Sequence, residues 1–301
     1  MSKPFAGVIP PVVTPFKNDE LDLEGFKANF IQWNKVPLGG YLVAGTAGES
    51  PHLSAGEKER LFAAAREVIS NDRVFLAGIG AQSTRDSIKL AKIAGAQGAD
   101  YALALTPFYF RGQMTGEAWE AHYRLLADNS PIPVVIYNGT PSSGLNISPD
   151  TVARLSEHAN VAGVKCGAGD MAQLRKFVRL TPEDFVVLTG AAAIYYPALC
   201  MGVDGCGAAV GNLAPATMIA MERSFKEGNH ARARELQDLI TPLGGMVTKR
   251  WGVGGLKLAM DLAGRCGGDV RMPLSRPGDE NAKNILLAAL ANLADLESAY
   301  L

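Results

Sequence analysis

The sequence lacks any cysteine pattern typical of a metal site or a disulfide framework. Its four cysteines, Cys166, Cys200, Cys206 and Cys266, form no C-x-x-C pair and have no histidine near them in the chain. Zinc sites and disulfide frameworks both need closely spaced or paired thiols. The glycine-rich segments 78–80 and 252–255 also lack the full strand-then-helix fingerprint of a nucleotide site. We therefore expect buried, reduced thiols, no metal ion and no cofactor.

The sequence also lacks an excess of charge of either sign and a long apolar run. Lysine and arginine number 29 against 30 aspartates and glutamates, for a formal net charge of -1. Without a basic stripe to release counterions from phosphates, nucleic-acid binding is not expected. No apolar run reaches the roughly 18 residues of a membrane span, and residues 1–6 are too short and polar for a signal peptide. We expect a cytoplasmic protein with no nucleic-acid or membrane partner.

Glycine, by contrast, is abundant, with 33 residues, and it punctuates a regular alternation of short apolar runs and longer stretches of helical period. Such alternation predicts repeated βα units. The predicted strands cover residues 7–13, 40–44, 74–78, 101–105, 132–137, 161–165, 185–188 and 205–210.

Eight units of about 25 to 30 residues fit a closed (β/α)8 barrel, or TIM barrel, better than an open doubly wound sheet, which stays open as an alternative. We assign residues 1–228 to this α/β barrel. Residues 229–301 contain only helix candidates, at 231–246, 256–262 and 280–300, and no linker-like composition precedes them. We predict that they form a C-terminal helical extension packed on the barrel.

One lysine lies where lysines are rare. Lys165 ends the apolar strand candidate 161–165, and desolvating an ammonium group costs several kcal/mol, on the order of 3 or more. One interpretation is an uncharged amine in a dry pocket, which can attack a carbonyl. The other is a strand-end lysine that reaches solvent or pairs with an acid. This stretch alone does not decide between them.

The ends of the other strands favour the first interpretation. In (β/α)8 barrels the active site lies at the carboxyl ends of the strands, so the residues there meet at one mouth. The four histidines lie elsewhere, on loops or helices, and we expect them at the surface. The side chains and glycines that would converge with Lys165 are Thr46, Tyr109, Tyr137, Gly190 and Gly207.

Three motifs, each at a predicted strand end, carry a family resemblance: Gly45-Thr46-Ala47-Gly48-Glu49, Tyr137-Asn138 and Gly163-Val164-Lys165. In these motifs the chain resembles the N-acetylneuraminate lyase and dihydrodipicolinate synthase family of pyruvate-handling class I lyases. The resemblance runs from about residue 7 to about residue 274. Any one motif alone is a weak signal, but the three in order are a strong one.

The resemblance implies a set of residue roles. Lys165 would form a Schiff base with the C2 carbonyl of a 2-oxo acid. Tyr137 would relay protons, with Thr46 and the partner subunit's Tyr109 as its hydrogen-bond partners. Backbone N–H groups around Thr46 and Ala47 would hold the substrate carboxylate.

The resemblance also implies the shape of the pocket and the assembly. Gly190 and Gly207 would line the pocket. A tyrosine shared across a two-fold axis implies a homo-oligomer, specifically a homotetramer built as a dimer of dimers.

Two departures from the family pattern limit the substrate. Dihydrodipicolinate synthases carry an arginine five positions after the tyrosine, where this chain has Ser142. A short hydroxyl cannot replace a bidentate guanidinium, so that synthetic reaction is disfavoured. Sialic-acid lyases place acidic residues after the glycine of strand seven, where this chain has Ala191 and Ala192. A long polyhydroxylated substrate would leave its hydroxyls unpaired there.

Segments 106–112, 130–135, 247–252 and 255–257 are most similar to the 4-hydroxy-2-oxoglutarate aldolase branch. We predict an aldolase-type lyase that cleaves a small 2-oxo-4-hydroxy acid to pyruvate- or glyoxylate-type products. A dehydratase acting on a 2-oxo-3-deoxy sugar acid would use the same imine and stays open. A non-catalytic binder of oxo acids is less favoured, because it would not need a phenol beside the lysine.

Overall fold

The computed structural model describes residues 3–299, and its centre is a sheet of eight parallel strands. Each strand pairs with its neighbours in the chain, in the order β1-β8-β7-β6-β5-β4-β3-β2. These strands are β1 Gly7–Val8, β2 Gly40–Val43, β3 Val74–Gly78, β4 Tyr101–Leu105, β5 Val134–Asn138, β6 Val161–Cys166, β7 Val186–Thr189 and β8 Gly205–Cys206.

The sheet closes on itself between its first and second strands. Pro11 forms a parallel bridge with Leu42. The Leu42 N–H donates to the Pro10 carbonyl at 3.0 Å, and the Val12 N–H donates to the Leu42 carbonyl at 2.9 Å. The predicted (β/α)8 barrel is therefore confirmed, and the open doubly wound sheet is excluded.

Side chains alternate between two apolar layers, as the period of two in a strand requires. In β5, Val135 belongs to the cluster inside the barrel, whereas Val134 and Ile136 pack outward against the helices. The inner cluster is made of Phe5, Ile9, Leu42, Leu76, Leu103, Val135, Val186 and Leu188. Inward-facing positions near the carboxyl ends of the strands are thus available for chemistry.

A helix follows each strand, and several begin at a polar cap. The side chains of Ser54, Ser83, Thr115, Ser148 and Asp170 each accept a hydrogen bond from the N–H three residues on, which satisfies amides that have no intrahelical partner. The barrel helices are Leu23–Trp33, Ala55–Val68, Thr84–Ala96, Gly116–Asn129, Pro149–Ser156, Met171–Leu180, Tyr195–Cys200 and Pro215–Lys226.

The C-terminal region is helical, as predicted, and it packs on the barrel. Gln237 Nε2 donates to the Ala192 carbonyl at 2.9 Å, and Arg265 Nη1 donates to the Asn212 carbonyl at 2.6 Å. The division of the chain at residue 228 stays a prediction. The elements of this region are helices His230–Gly245, Gly252–Leu262, Glu280–Ala291 and Ala294–Ser298 and the π-helix Met246–Arg250.

Some element boundaries were predicted wrongly. Strand β1 stops at Val8 because Pro10 and Pro11 have no N–H to donate, and β8 gives way to the 3-10 helix Ala209–Asn212. The predicted helix 280–300 is two helices, and residue 300 lies outside the described residues. Sequence reasoning missed the helix Pro215–Lys226 and the short helix Thr140–Ser143.

The expectation of four buried thiols was only half right. Cys166 and Cys206 are buried, whereas Cys200 is exposed and Cys266 is partly exposed. Within residues 3–299, no helix is long and apolar enough to cross a membrane.

Candidate active site

Lys165 lies inside the barrel near the carboxyl end of β6. Its Cα pairs with Tyr137 of β5 on one side and Leu188 of β7 on the other. The preceding Val164 packs outward against the helices, so strand alternation turns the lysine inward. The residue is 4% exposed, and its Nζ lies 4.5 Å from the centroid of the Tyr137 ring. A buried amine and a phenol therefore lie side by side.

The amine of Lys165 has no partner of its own in the part of the chain that the structure describes. Among residues 3–299, no carboxylate lies within ion-pair distance of its Nζ, and the amine makes no hydrogen bond. The pairing alternative considered from the sequence is thus not what the structure shows. A lysine amine that is held by no carboxylate and no hydrogen bond is free to attack a carbonyl.

Two glycines make room for the lysine side chain. A methyl group at Gly207 would lie 3.0 Å from Lys165 Cε, and one at Gly190 would lie 3.3 Å from the same atom. The Gly190 N–H donates to the Cys166 carbonyl at 2.6 Å, and the Gly207 N–H donates to the Thr189 carbonyl at 2.8 Å. Barrel hydrogen bonds therefore use both amides, and what these predicted lining residues supply is space beside Lys165.

The loop after β2 leaves the adjacent N–H groups of Thr46 and Ala47 free. The amides of Gly48, Glu49 and Ser50 donate to carbonyls within the loop. Those of Thr46 and Ala47 have no acceptor within the part of the chain that the structure describes. Adjacent amides of this kind suit a carboxylate. The Thr46 side chain is exposed, and its hydroxyl makes no hydrogen bond with Tyr137 in this chain.

Asn138 fixes the turn that follows Tyr137. Its Nδ2 donates to Asn146 Oδ1 at 2.8 Å, and its Oδ1 accepts from the Ile147 N–H at 3.3 Å. Its carbonyl accepts from the Gly167 N–H at 2.9 Å, which ties β5 to the loop after β6. The second residue of the Tyr137-Asn138 motif thus has a structural role, and it holds the loop beside the phenol.

Tyr109 lies apart from this group. It is 75% exposed, and Phe110 is 64% exposed, with the two rings 5.2 Å apart. The N–H groups of Phe108 and Tyr109 both donate to Gln82 Oε1, which sets the aromatic pair outward. No hydrogen bond joins Tyr109 to Tyr137 within the described chain. The structure thus brings together Lys165, Tyr137 and the two glycines, but not Tyr109.

Sequence reasoning missed two further buried lysines, Lys58 and Lys257. Lys257 is fully buried, and its Nζ lies 2.6 Å from Glu49 Oε1, also fully buried. Burial lowers the pKa of Lys257, and the charge of Glu49 opposes that effect. The apolar residues around Lys257 in segment 254–260 were the available signal. Glu49 ends the Gly45–Gly48 motif, so this ion pair borders the loop with the free amides.

The expectation of surface histidines was wrong for His122. This residue is 7% exposed, and its Nδ1 lies 2.9 Å from Thr84 Oγ1. Burial lowers the pKa of His122 to about 4.

A cavity of about 610 Å³ lies apart from Lys165 and Tyr137. Arg271 already pairs there with Asp19 and Glu57, and Arg276 pairs with Asp261, so its cations are occupied. The lining residues are Asp19, His52, Asp269, Val270, Arg271, Met272 and Arg276.

A closed (β/α)8 barrel with an unpaired buried lysine near a strand end and a phenol beside it is the arrangement of a class I, Schiff-base-forming lyase. Comparison with known proteins agrees. The model of the dihydrodipicolinate synthetase family matches residues 4–292, and the chain belongs to that family.

The sequence relatives are synthases. The 4-hydroxy-tetrahydrodipicolinate synthase of Methanothrix thermoacetophila is 35% identical over 296 residues, which are 97% of this chain and 98% of the relative. The synthase of the same name from Archaeoglobus fulgidus is 35% identical over 283 residues, 93% of this chain and 96% of the relative.

Solved structures agree in fold over the whole barrel. Dihydrodipicolinate synthase from Thermotoga maritima superposes with a TM-score of 0.91 at 32% identity, and 99% of each chain is covered. YagE, a prophage protein of Escherichia coli K12 from the same family, was solved in complex with pyruvate. It superposes with a TM-score of 0.90 at 28% identity, covering 97% of this chain and 99% of YagE.

Proposed function

We propose that the protein cleaves a small 2-oxo-4-hydroxy acid by way of an imine on Lys165 and releases pyruvate, with an aldehyde such as glyoxylate as the second product. The observation that carries the proposal is the unpaired, buried amine of Lys165, 4.5 Å from the Tyr137 ring. Such an amine can attack a carbonyl, and a phenol next to it can move the protons that the reaction transfers.

The proposed steps balance as follows. The amine of Lys165 adds to the C2 carbonyl, and water leaves to give an imine. The phenol of Tyr137 takes up the proton of the C4 hydroxyl while its own proton passes to its relay partner; as the C3–C4 bond breaks, the electron pair of that bond moves into the imine to give an enamine. The enamine takes a proton at C3, and water hydrolyses the imine to pyruvate and free Lys165.

The loop after β2 supports a carboxylate next to that carbonyl. The free N–H groups of Thr46 and Ala47 are the proposed donors to the C1 carboxylate, because the loop leaves these two amides without acceptors. Ala47 is buried, so a hydrogen bond to a charged group there gains strength from the low local dielectric constant. The Thr46 hydroxyl and Tyr137 stay proposed relay partners.

The loop after β7 supports a short substrate. Ala191 and Ala192 follow Gly190 and offer no side-chain acceptor or donor. A long polyhydroxylated tail would lose its hydrogen bonds to water there without replacement. A four-carbon skeleton with one further carboxylate makes no such demand.

A second candidate is the condensation named for the sequence relatives, 4-hydroxy-tetrahydrodipicolinate synthesis. Ser142, in place of the arginine of the synthases, disfavours this reaction, but one structural observation supports it. A methyl group at Gly144 would lie 3.0 Å from Nη2 of Arg111, so a guanidinium lies over the same turn that carries Ser142. The Arg111 guanidinium has no hydrogen bond or ion pair within residues 3–299. It can therefore bind a distal carboxylate in place of the missing arginine.

Completion of the site by a second subunit is part of the proposal. Tyr109 and Phe110 form an exposed aromatic pair, and exposed aromatic residues are enriched at subunit interfaces. We propose that the partner subunit's Tyr109 approaches Tyr137 across a two-fold axis, in a dimer of dimers.

One assay separates the candidate reactions. The purified protein is incubated with 4-hydroxy-2-oxoglutarate, with a 2-oxo-3-deoxy sugar acid, or with pyruvate plus aspartate semialdehyde, and pyruvate release or consumption is followed. We expect pyruvate release from the first substrate. Pyruvate consumption only with the semialdehyde would establish the synthase instead, and loss of water from the sugar acid without pyruvate would establish a dehydratase.

Arg111→Ala tests the distal-carboxylate contact in the same assay, with Arg85→Ala, a surface arginine on another helix, as the control. The Arg111 variant should raise KM for the acid with a distal carboxylate by about tenfold, as expected when a charged hydrogen bond is lost. The Arg85 variant should match wild type. Equal KM values in the Arg111 variant and wild type would remove Arg111 from the substrate site.

A further inference from the structure

The loop that carries the free N–H groups of Thr46 and Ala47 has a residue with positive φ at each end. Ala44 and Glu49, on either side of Gly45–Gly48, both have φ of 54°. Residues other than glycine, asparagine and aspartate rarely adopt this left-handed region. Such a residue costs on the order of 1–3 kcal/mol and persists only where its surroundings impose it. Contacts outside the loop must therefore hold it in place.

The carboxylate of Glu49 makes those contacts. Its Oε1 lies 2.6 Å from Lys257 Nζ. Its Oε2 accepts from the Arg271 N–H at 3.0 Å and lies 3.1 Å from His52 Nδ1. The side chain is fully buried, and burying a carboxylate is costly unless it has partners such as these. The conformation of Glu49 is thus coupled to a charge pair with the C-terminal region.

Lys257 fixes the pair to the barrel from the other side. Its Nζ donates to the Thr14 carbonyl at 2.7 Å and to the Asp269 carbonyl at 2.5 Å. The Thr14 hydroxyl in turn donates to the Gly48 carbonyl at 2.8 Å. The Lys257 side chain therefore contacts Glu49, which ends the loop, and Thr14, which hydrogen-bonds to the last glycine of the loop.

We propose that the Glu49–Lys257 pair is a positioning device that keeps the N–H groups of Thr46 and Ala47 aligned for the substrate carboxylate. The helix Gly252–Leu262 thereby contributes to substrate binding from outside the pocket. The inference rests on the proposed function, since it assigns those amides to a 2-oxo acid. Neither Glu49 nor Lys257 touches the reacting atoms.

The test separates stability from positioning. Replacing a buried ion pair by uncharged groups of similar volume is often neutral or stabilising, so Glu49→Gln/Lys257→Met is the variant of choice. Glu49→Gln alone is the second variant, because the amide oxygen can still accept from the Arg271 N–H. Lys226→Met is the matched control. It removes a lysine–glutamate pair with Glu222, which lies beside Gly7 at the amino end of β1.

Borohydride trapping with pyruvate is measured across pyruvate concentrations, together with thermal unfolding. In the two Glu49 variants we expect the half-saturating pyruvate concentration to rise about tenfold or more. Trapping at saturating pyruvate should persist, and the Lys226 control should match wild type. An unchanged half-saturating concentration in a folded Glu49 variant overturns the inference. If the wild-type protein itself traps no pyruvate, the proposed function is wrong; this outcome is distinct from a failure of the positioning inference alone.

Discussion

Of the three lysines buried within residues 3–299, Lys165 and Lys257 differ most clearly in what their amines contact. Lys257 has a carboxylate 2.6 Å away and two backbone carbonyls as acceptors. Lys165 has none of these within the described chain, and its amine faces the Tyr137 ring at 4.5 Å. Burying an ammonium ion costs several kcal/mol unless charge and hydrogen bonds compensate it. Lys257 has such a charge and such hydrogen bonds, whereas Lys165 has neither within the described residues.

The difference separates a structural lysine from a reactive one. The amine of Lys257 is held by Glu49 and by two backbone carbonyls, so it is not free to attack a carbonyl. The amine of Lys165 has no such contacts within the described chain, so it is available to react with a carbonyl. Burial alone would have chosen the wrong lysine, since Lys257 is the more buried of the two.

Methionine substitutions at the two lysines should give opposite results. Lys257→Met leaves the buried Glu49 carboxylate without its counter-charge and should lower the free energy of unfolding by about 3–5 kcal/mol. The Lys257→Met variant should still form an imine with saturating pyruvate, which borohydride reduces. Lys165→Met removes no ion pair, so the protein should stay as stable as wild type but lose all activity. Denaturant unfolding and turnover assays on both variants check this, and a severely destabilised Lys165→Met variant would reverse the comparison.

The Tyr137→Phe variant tests whether the hydroxyl of Tyr137 moves protons in the reaction. The substitution keeps the ring and removes the hydroxyl that the proposed mechanism uses to move protons. Turnover should fall by a factor on the order of 100 or more, as expected for a general acid–base group, while imine formation persists in part. Tyr123→Phe, whose buried hydroxyl donates to the Ala104 carbonyl, is the control and should keep turnover near wild type. Turnover within a few-fold of wild type in Tyr137→Phe would mean that another group moves the proton.

Lys165 and Lys257 differ in how much of their role could be predicted from the sequence. Lys165 was identifiable because it ends an apolar strand beside the ends of other strands, and period and spacing are local properties. The burial of Lys257 was signalled by its apolar neighbours, but its pairing with Glu49, about 200 residues away, depends on the closed fold. The unused amides of Thr46 and Ala47 also depend on that fold. Prolines and glycines, such as Pro10 and Pro11, explain the misplaced strand boundaries.

The environment of Lys165 should depend on a second subunit. Tyr109→Phe should lower turnover by about tenfold, the low end for a group that supports a proton relay, and leave the oligomeric state unchanged. Sedimentation velocity of wild type at assay concentration should show a dimer or a tetramer. A monomer with full activity would rule out a shared site.

His122 offers a smaller test of what it costs to bury a base without a counter-charge. Burial lowers its pKa to about 4, whereas a free histidine titrates near 6.5. Between these pH values the unfolded chain binds more protons, so the free energy of unfolding should fall as pH drops through this range. The loss attributable to His122 is about 3 kcal/mol over the whole interval.

Denaturant unfolding at pH 7 and pH 4.5 measures this loss. His122→Leu should show a smaller drop than wild type, and His230→Leu, an exposed histidine, should show the wild-type drop. An identical pH dependence in wild type and His122→Leu would mean that His122 is protonated as easily in the folded protein.

The most direct test of the central claim is to find which lysine pyruvate modifies. The protein is incubated with pyruvate and borohydride, digested, and analysed by peptide mass spectrometry. One reduced pyruvyl group per chain should appear on Lys165 and none on Lys257, with loss of activity in proportion to labelling. Labelling at Lys257 or at another lysine, or no labelling at all, would contradict the account.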